Sequence, residues 1–193
     1  MKKNKLIDSF YTLGFILAIT AVCVAGVSWA YQATKAQIKA NQTLDLKRAA
    51  LYAAGIKVPE TTNAIEKLFD EKLKKQGDRY IVENGGYVYP VVGTGLWGKI
   101  EAMIGVDKKF NAMTGIYFTG QNETPGLGAR IDEEWFKKQF KGKKPPLTTV
   151  AEGEPSTDKQ FDAITGATIT SNGVKNMVNE FFSEKNNKLE DKK

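Results

Sequence analysis

The chain of 193 residues has no histidine and one cysteine, Cys23. These shortages exclude several chemistries. Zinc sites draw on Cys and His, and iron–sulfur clusters need several Cys. A Ser-His-Asp or Cys-His nucleophile system needs the imidazole that is missing. One cysteine makes neither a dithiol redox pair nor a disulfide within the chain. Redox chemistry here therefore requires an organic cofactor. A strong charge of one sign is also lacking. The formal net charge is +6, and no Arg/Lys stripe with interleaved aromatics appears, so nucleic acid is not an expected partner. No repeat or low-complexity tract occurs.

What is present begins with a charge-free run of 26 residues, Ser9 to Thr34. The part from Phe10 to Tyr31 spans roughly 33 Å as a helix, enough to cross a bilayer. Tyr11 near one end and Trp29 and Tyr31 near the other sit where interfacial aromatics belong. A cleaved signal peptide ending near Ser28-Trp29-Ala30 is the competing reading, but the run is long for a signal core. Cys23 lies in mid-run and reads as an apolar helix residue. Lys2, Lys3 and Lys5 before the span are balanced by Lys35, Lys39, Lys47 and Arg48 after it. The short N-terminal stub then favours that end inside and the bulk of the chain outside the cytoplasm.

Beyond the span, Lys35 to Ala54 is rich in helix formers and is stopped by Gly55 and Pro59. Ile65, Leu68, Phe69 and Leu73 predict a second helix over Thr62 to Gln76. The character then changes. A hairpin is expected around Gly85-Gly86, and strands at Lys99 to Val106 and Ala112 to Thr119. A helix is expected around Asp132 to Phe140, a long surface connection over Gly142 to Gln160, and a short strand at Phe161 to Ile164. The last helix is expected from Asn172 to Phe182, and the mixed-charge end reads as a solvated tail. The class is α+β with a mainly antiparallel sheet.

The densest chemistry lies between Asp162 and Gly173. Gly166 and Ala167 let a ligand approach the backbone, hydroxyls crowd at Thr165, Thr168, Thr170 and Ser171, and a helix follows at once. Hydroxyls, free N–H groups and a helix N-terminus suit a phosphate. The plainer reading is that Thr170, Ser171 and Asn172 only cap the helix. Upstream, Glu123-Thr124-Pro125-Gly126-Leu127-Gly128 contains a tight Pro-Gly turn. Leu127 is placed to pack on a planar ring, with Glu123 and Thr124 as polar contacts. Trp97, in Gly95-Leu96-Trp97, reads as core or as a cofactor contact.

Asp162-x-x-Thr165-Gly166-Ala167-Thr168 resembles the flavinylation motif of the FMN-binding domain family. That domain occurs in the NqrC component of the sodium-translocating NADH:quinone reductase (the Nqr complex) and in the RnfG component of the Rnf complex. Glu123 to Gly128 and Gly95-Leu96-Trp97 match further family segments in the same order. The resemblance implies FMN joined to Thr168 by a phosphoester, which a flavin transferase makes from FAD. By the same resemblance Asp162, Thr165, Gly166, Ala167, Thr170, Glu123, Thr124, Gly126, Leu127 and Trp97 belong to the cofactor site, with no catalytic residue and no metal. It implies an electron-relay subunit of an ion-translocating membrane oxidoreductase, with the other subunits and the bilayer as partners. The expected plan is a stub at 1–8, a transmembrane helix at 9–34, a helical connector at 35–76, an extracytoplasmic FMN-binding domain at 77–185 and a tail at 186–193. A stand-alone membrane-anchored flavoprotein and a non-redox anchor or adaptor remain the alternatives.

Overall fold

The computed structural model describes residues 5–154 and 156–190. The first four residues of the expected stub, Pro155 in the expected connection and the last three residues of the expected tail lie outside them. Two compact units result, Met1–Thr43 and Leu44–Lys193.

Helix α1 runs without a break over Lys5–Ala53. No Gly or Pro lies between Gly26 and Gly55, so nothing in the sequence stops the helix where the apolar run ends. Its stretch Ser9–Ala53 is long and apolar enough to cross a membrane by length and composition. The helix closes with the paired bonds of a Schellman motif. The Ile56 N–H donates to the Leu51 carbonyl at 3.0 Å and the Gly55 N–H to that of Tyr52 at 2.9 Å.

The second unit is built on a five-stranded antiparallel sheet in chain order. Its strands are β1 (Leu73–Gln76), β2 (Arg79–Val82), β3 (Tyr87–Thr94), β4 (Lys99–Val106) and β5 (Met113–Gly120). The hairpin expected at Gly85-Gly86 joins β2 and β3. The second helix, α2, covers Thr62–Lys72 and stops short of Gln76. Leu73 instead buries itself opposite Val82 as the first residue of β1. The exposed Lys74, Lys75 and Gln76 leave a charged edge, which discourages pairing with other chains. Pro90 of β3 costs nothing in the ladder, because β2 pairs only with Tyr87 and Val88.

Alternation along β4 explains how one strand serves two cores. Ile100, Ala102, Ile104 and Val106 pack with Phe136, Phe140, Phe161, Val174 and Phe181. Met103 faces the other way, toward Ala49, Leu51, Ile65 and Val88. The sheet is thus covered on one face by the last helix and on the other by the end of α1 with α2.

Besides α2, three expected elements differ from what forms. The helix expected around Asp132 to Phe140 is a 3-10 turn, Gly128–Asp132, followed by a short α3, Glu134–Lys138. The expected surface connection contains a strand, β6 (Thr148–Val150), parallel to β7 (Gln160–Asp162). Only its non-local partner makes so short a β-branched run a strand. The last helix, α4, covers Thr168–Glu190 and so begins four residues before Asn172. The architecture is α+β with a mainly antiparallel sheet.

Candidate functional site

Three loops meet at the start of α4. The first is the tip of the β3–β4 hairpin, closed by the Gly95 N–H donating to the Gly98 carbonyl at 2.7 Å, with Leu96 and Trp97 at its apex. The second is the segment after β5, where Thr124-Pro125-Gly126-Leu127 forms a turn closed by the Leu127 N–H on the Thr124 carbonyl at 3.1 Å. Pro at its second position and Gly126 at φ +75° give the type II geometry that the dipeptide favours. The third is Ile164-Thr165-Gly166-Ala167, a turn closed at 2.9 Å by the Ala167 N–H, with Gly166 at φ +78°. A side chain at Gly166 would meet Leu127 Cδ2 at 3.1 Å, so these two turns lie against each other.

Between the loops is a cleft of about 300 Å³ lined by Leu96, Glu123, Thr124, Leu127, Gly128 and Gly166 to Thr170. Thr168, the first residue of α4, is exposed into it. The first N–H groups of a helix have no intrahelical acceptor, and the helix dipole adds positive potential there. The apolar surface is concentrated here too. Among the described residues of the second unit, the exposed large apolar side chains are Leu46, Val92, Leu96, Trp97, Leu127 and Ile169. Leu96, Leu127 and Ile169 line this cleft, and Trp97 adjoins Leu96.

The hydroxyls near Thr168 divide their work. Thr170 donates to Glu123 Oε2 and Ser171 to the Ala167 carbonyl at 3.1 Å, while Ser171 Oγ accepts the Ile164 N–H at 3.0 Å. Asn172 accepts a hydrogen bond from Lys175 at 2.9 Å. Thr170 and Ser171 therefore brace the loops from within the first turn of α4, while Asn172 is engaged along its own helix. Of the hydroxyls in the first turn of α4, Thr168 is the one exposed at the mouth.

Asp162 and Thr165 lie just outside the cleft lining and shape it from behind. Asp162 accepts the Gly153 N–H at 2.9 Å, which fixes the turn carrying Glu152. Glu152 in turn accepts the Thr165 N–H at 2.8 Å and takes the Arg130 guanidinium in a two-pronged pair at 2.8 and 3.2 Å. Arg130 and then the Thr165 N–H hold the Glu152 carboxyl down at about 2. This clamp ties the segment after Leu127 to the Gly166 turn. Gly126 and Trp97 likewise stand beside the lining, the first in the turn that presents Leu127, the second 66% exposed. The apolar wall contributed by Leu96 and Ile169 escaped sequence reading. Its only signal was a large apolar residue placed among glycines or hydroxyls.

A larger hollow, about 420 Å³, lies between Tyr52, Val58 and Lys141. Its acidic group is already engaged, since Glu134 accepts the Tyr52 hydroxyl at 2.7 Å and pairs with Lys137 and Lys138.

The FMN-binding domain family matches residues 95–183. NqrC of the Na(+)-translocating NADH-quinone reductase of Vibrio campbellii is 30% identical over 225 residues, covering 84% of this chain and 86% of that protein. The chain belongs to this NqrC family. The protein of the same name from Pasteurella multocida is 35% identical over 120 residues, 55% of this chain and 45% of that one. The solved NqrC of Parabacteroides distasonis superposes with a TM-score of 0.64 at 27% identity, covering 74% of this chain and 90% of that one. NqrC of Shewanella oneidensis shares the fold, with a TM-score of 0.63 at 21% identity over 74% of this chain and 93% of that one. Every residue lining the cleft falls within the part matched by the FMN-binding domain family.

Proposed function

We propose that this NqrC relative carries FMN on Thr168 through a phosphoester, and relays electrons within a membrane-bound, ion-translocating NADH:quinone oxidoreductase. The observation that carries the reading is the cleft itself. It joins an exposed hydroxyl at a helix N-terminus to the main cluster of exposed large apolar side chains in the second unit. FMN has the matching parts, a phosphate at one end and a flat, largely apolar ring at the other. The cleft volume is at the small end of ligand sites, about 300 to 1,000 Å³, so part of the group would stay open to a partner.

Bound FMN supplies the electron transfer that no side chain of this chain provides. Thr168 offers the oxygen. On attachment its O–P bond would form as the anhydride bond of FAD breaks, with AMP leaving and the hydroxyl proton passing to the flavin transferase or water. The first N–H groups of α4 would hold the phosphate. Asp162, Thr165, Gly166 and Ala167 hold the attachment turn, Leu127 and Thr124 form the wall opposite, and Gly126 sets the turn that presents them. Trp97, beside the lining, would flank the ring. Partners of the Nqr type are favoured over the Rnf type, because the relatives belong to the Na(+)-translocating NADH-quinone reductase. The long α1 anchors the chain in the cytoplasmic membrane, and the flavin domain lies on the extracytoplasmic side, as the resemblance to the family implies.

The test is co-expression with a flavin transferase, denaturation and a gel viewed under ultraviolet light. The wild-type band fluoresces, Thr168→Ala is dark and Thr168→Ser keeps part of the signal. A dark wild-type band overturns covalent attachment, and a fluorescent Thr168→Ala band moves the attachment elsewhere. Alkaline phosphatase fused after Lys193 is active if the domain lies outside, and inactive if it faces the cytoplasm.

A further inference from the structure

Glu123 is 6% exposed. Burial of an ionised carboxylate is costly unless its oxygens are paired. Here each oxygen is paired with a different segment. Oε1 accepts the Trp97 N–H at 3.0 Å and Oε2 accepts the Thr170 hydroxyl at 2.5 Å. The Glu123 N–H donates to Gln121 Oε1 at 2.6 Å, which fixes the start of its own loop. The backbone leaves room for this carboxylate. A Cβ at Gly95 would collide with Oε1, and one at Gly128 would stand 2.7 Å from Oε2 and 2.6 Å from Thr170 Oγ1. Thr170 is in the first turn of α4, two residues after Thr168, where a negative charge is favoured by the helix dipole. Glu123 thus links the first turn of α4, through the Thr170 hydroxyl, to the Leu96–Trp97 tip.

Resting on the reading that Thr168 carries the flavin, we infer that Glu123 is a positioning residue of the site. It sets the spacing between the attachment turn and the Leu96–Trp97 tip, and acts on the flavin through Thr170 and Trp97 and not through its own charge.

The two roles separate in Glu123→Gln. The amide oxygen can accept the Trp97 N–H while the amide N–H donates to Thr170 Oγ1, since a hydroxyl accepts as well as donates. That variant keeps both contacts without the charge. The full-length protein is co-expressed with a flavin transferase, and both the rate of attachment and the flavin midpoint potential are measured. Glu123→Gln is expected to attach flavin at close to the wild-type rate with the potential unchanged. Glu123→Ala and Thr170→Val are expected to slow attachment about tenfold, the scale of leaving a buried polar group without its partner. The double variant is expected to be no slower than Glu123→Ala alone, because both remove the same link. Wild-type attachment in Glu123→Ala overturns the inference. So does a midpoint potential shifted equally in Glu123→Gln and Glu123→Ala, which assigns the effect to charge. If Glu123→Ala fails to fold, Thr170→Val and Glu123→Gln decide the matter alone. A Thr168→Ala control that still takes flavin marks failure of the attachment reading itself, independently of Glu123.

Discussion

Large apolar side chains face outward in two regions of this chain, and the two regions differ in pattern. Along the span Phe10, Tyr11, Leu13, Phe15, Ile16, Val22 and Val27 are all more than half exposed, on every side of the helix. A helix apolar all round has no polar face to offer water and belongs in lipid. In the unit Leu44–Lys193 the cores take up Phe118, Phe136, Phe140, Phe161, Phe181 and Phe182. The exposed exceptions gather around one cleft, with Leu46 and Val92 the scattered remainder that any surface tolerates. A contiguous exposed apolar patch on a water-facing domain marks a binding site. The same residue type therefore signals solvent in one unit and function in the other.

The largest effect that can break this comparison comes from the core. Phe136 is fully buried and its ring meets those of Phe118, Phe140 and Phe161. Phe136→Ala should cost about 3–5 kcal/mol, measured by urea unfolding of the detergent-solubilised chain. A cost like that of a surface residue would mean that the core boundary lies elsewhere. Next, Val22→Asp places a charge near the middle of the span and should disfavour insertion by about 3 kcal/mol. The fraction resisting alkaline carbonate extraction then falls. Unchanged extraction would separate this helix from lipid.

The rim should behave in the opposite way. Trp97→Ala and Leu127→Ala remove exposed side chains, so unfolding should shift by no more than about 0.5 kcal/mol. Leu127→Ala should nevertheless move the flavin midpoint potential, because water gains access to the ring. A large stability loss with an unmoved potential would reclassify the rim as core.

The smallest expected effect is on pH dependence. The Glu152 carboxyl is lowered from its ordinary 4.5 to about 2 in the folded chain. Its contribution is therefore fully present above about 4.5 and is lost as pH falls toward 2. Glu152→Gln should flatten the stability profile between those two values and leave the profile from pH 5 to 7 parallel to wild type. A wild-type profile already flat in the acid range would show that the Arg130–Glu152–Thr165 clamp adds nothing.

Local rules made part of this molecule readable. The charge-free run implied a long helix, because apolar length alone decides what can cross a bilayer. Pro125-Gly126 implied a turn, because Pro fixes one dihedral and Gly permits the other. Gly85-Gly86 between β-branched runs implied a hairpin. Leu73 misled, because its helical spacing from Ile65 and Phe69 coexists with a place opposite Val82 that only the sheet supplies. β6 was hidden for the same reason, being three residues that depend on β7.

By itself, the sequence determined that cysteine–histidine chemistry is absent, that one helix is long and apolar enough to span, and that small and hydroxylated residues crowd around the start of α4. Only the tertiary structure decided that Leu96, Leu127 and Ile169 share a cleft with Thr168. Only it joined Glu123 to Trp97 and Thr170, across 26 and 47 residues of sequence. Turns and helices follow from neighbours along the chain, whereas a buried carboxylate finds its donors through the packing of the whole sheet, and no local spacing records that.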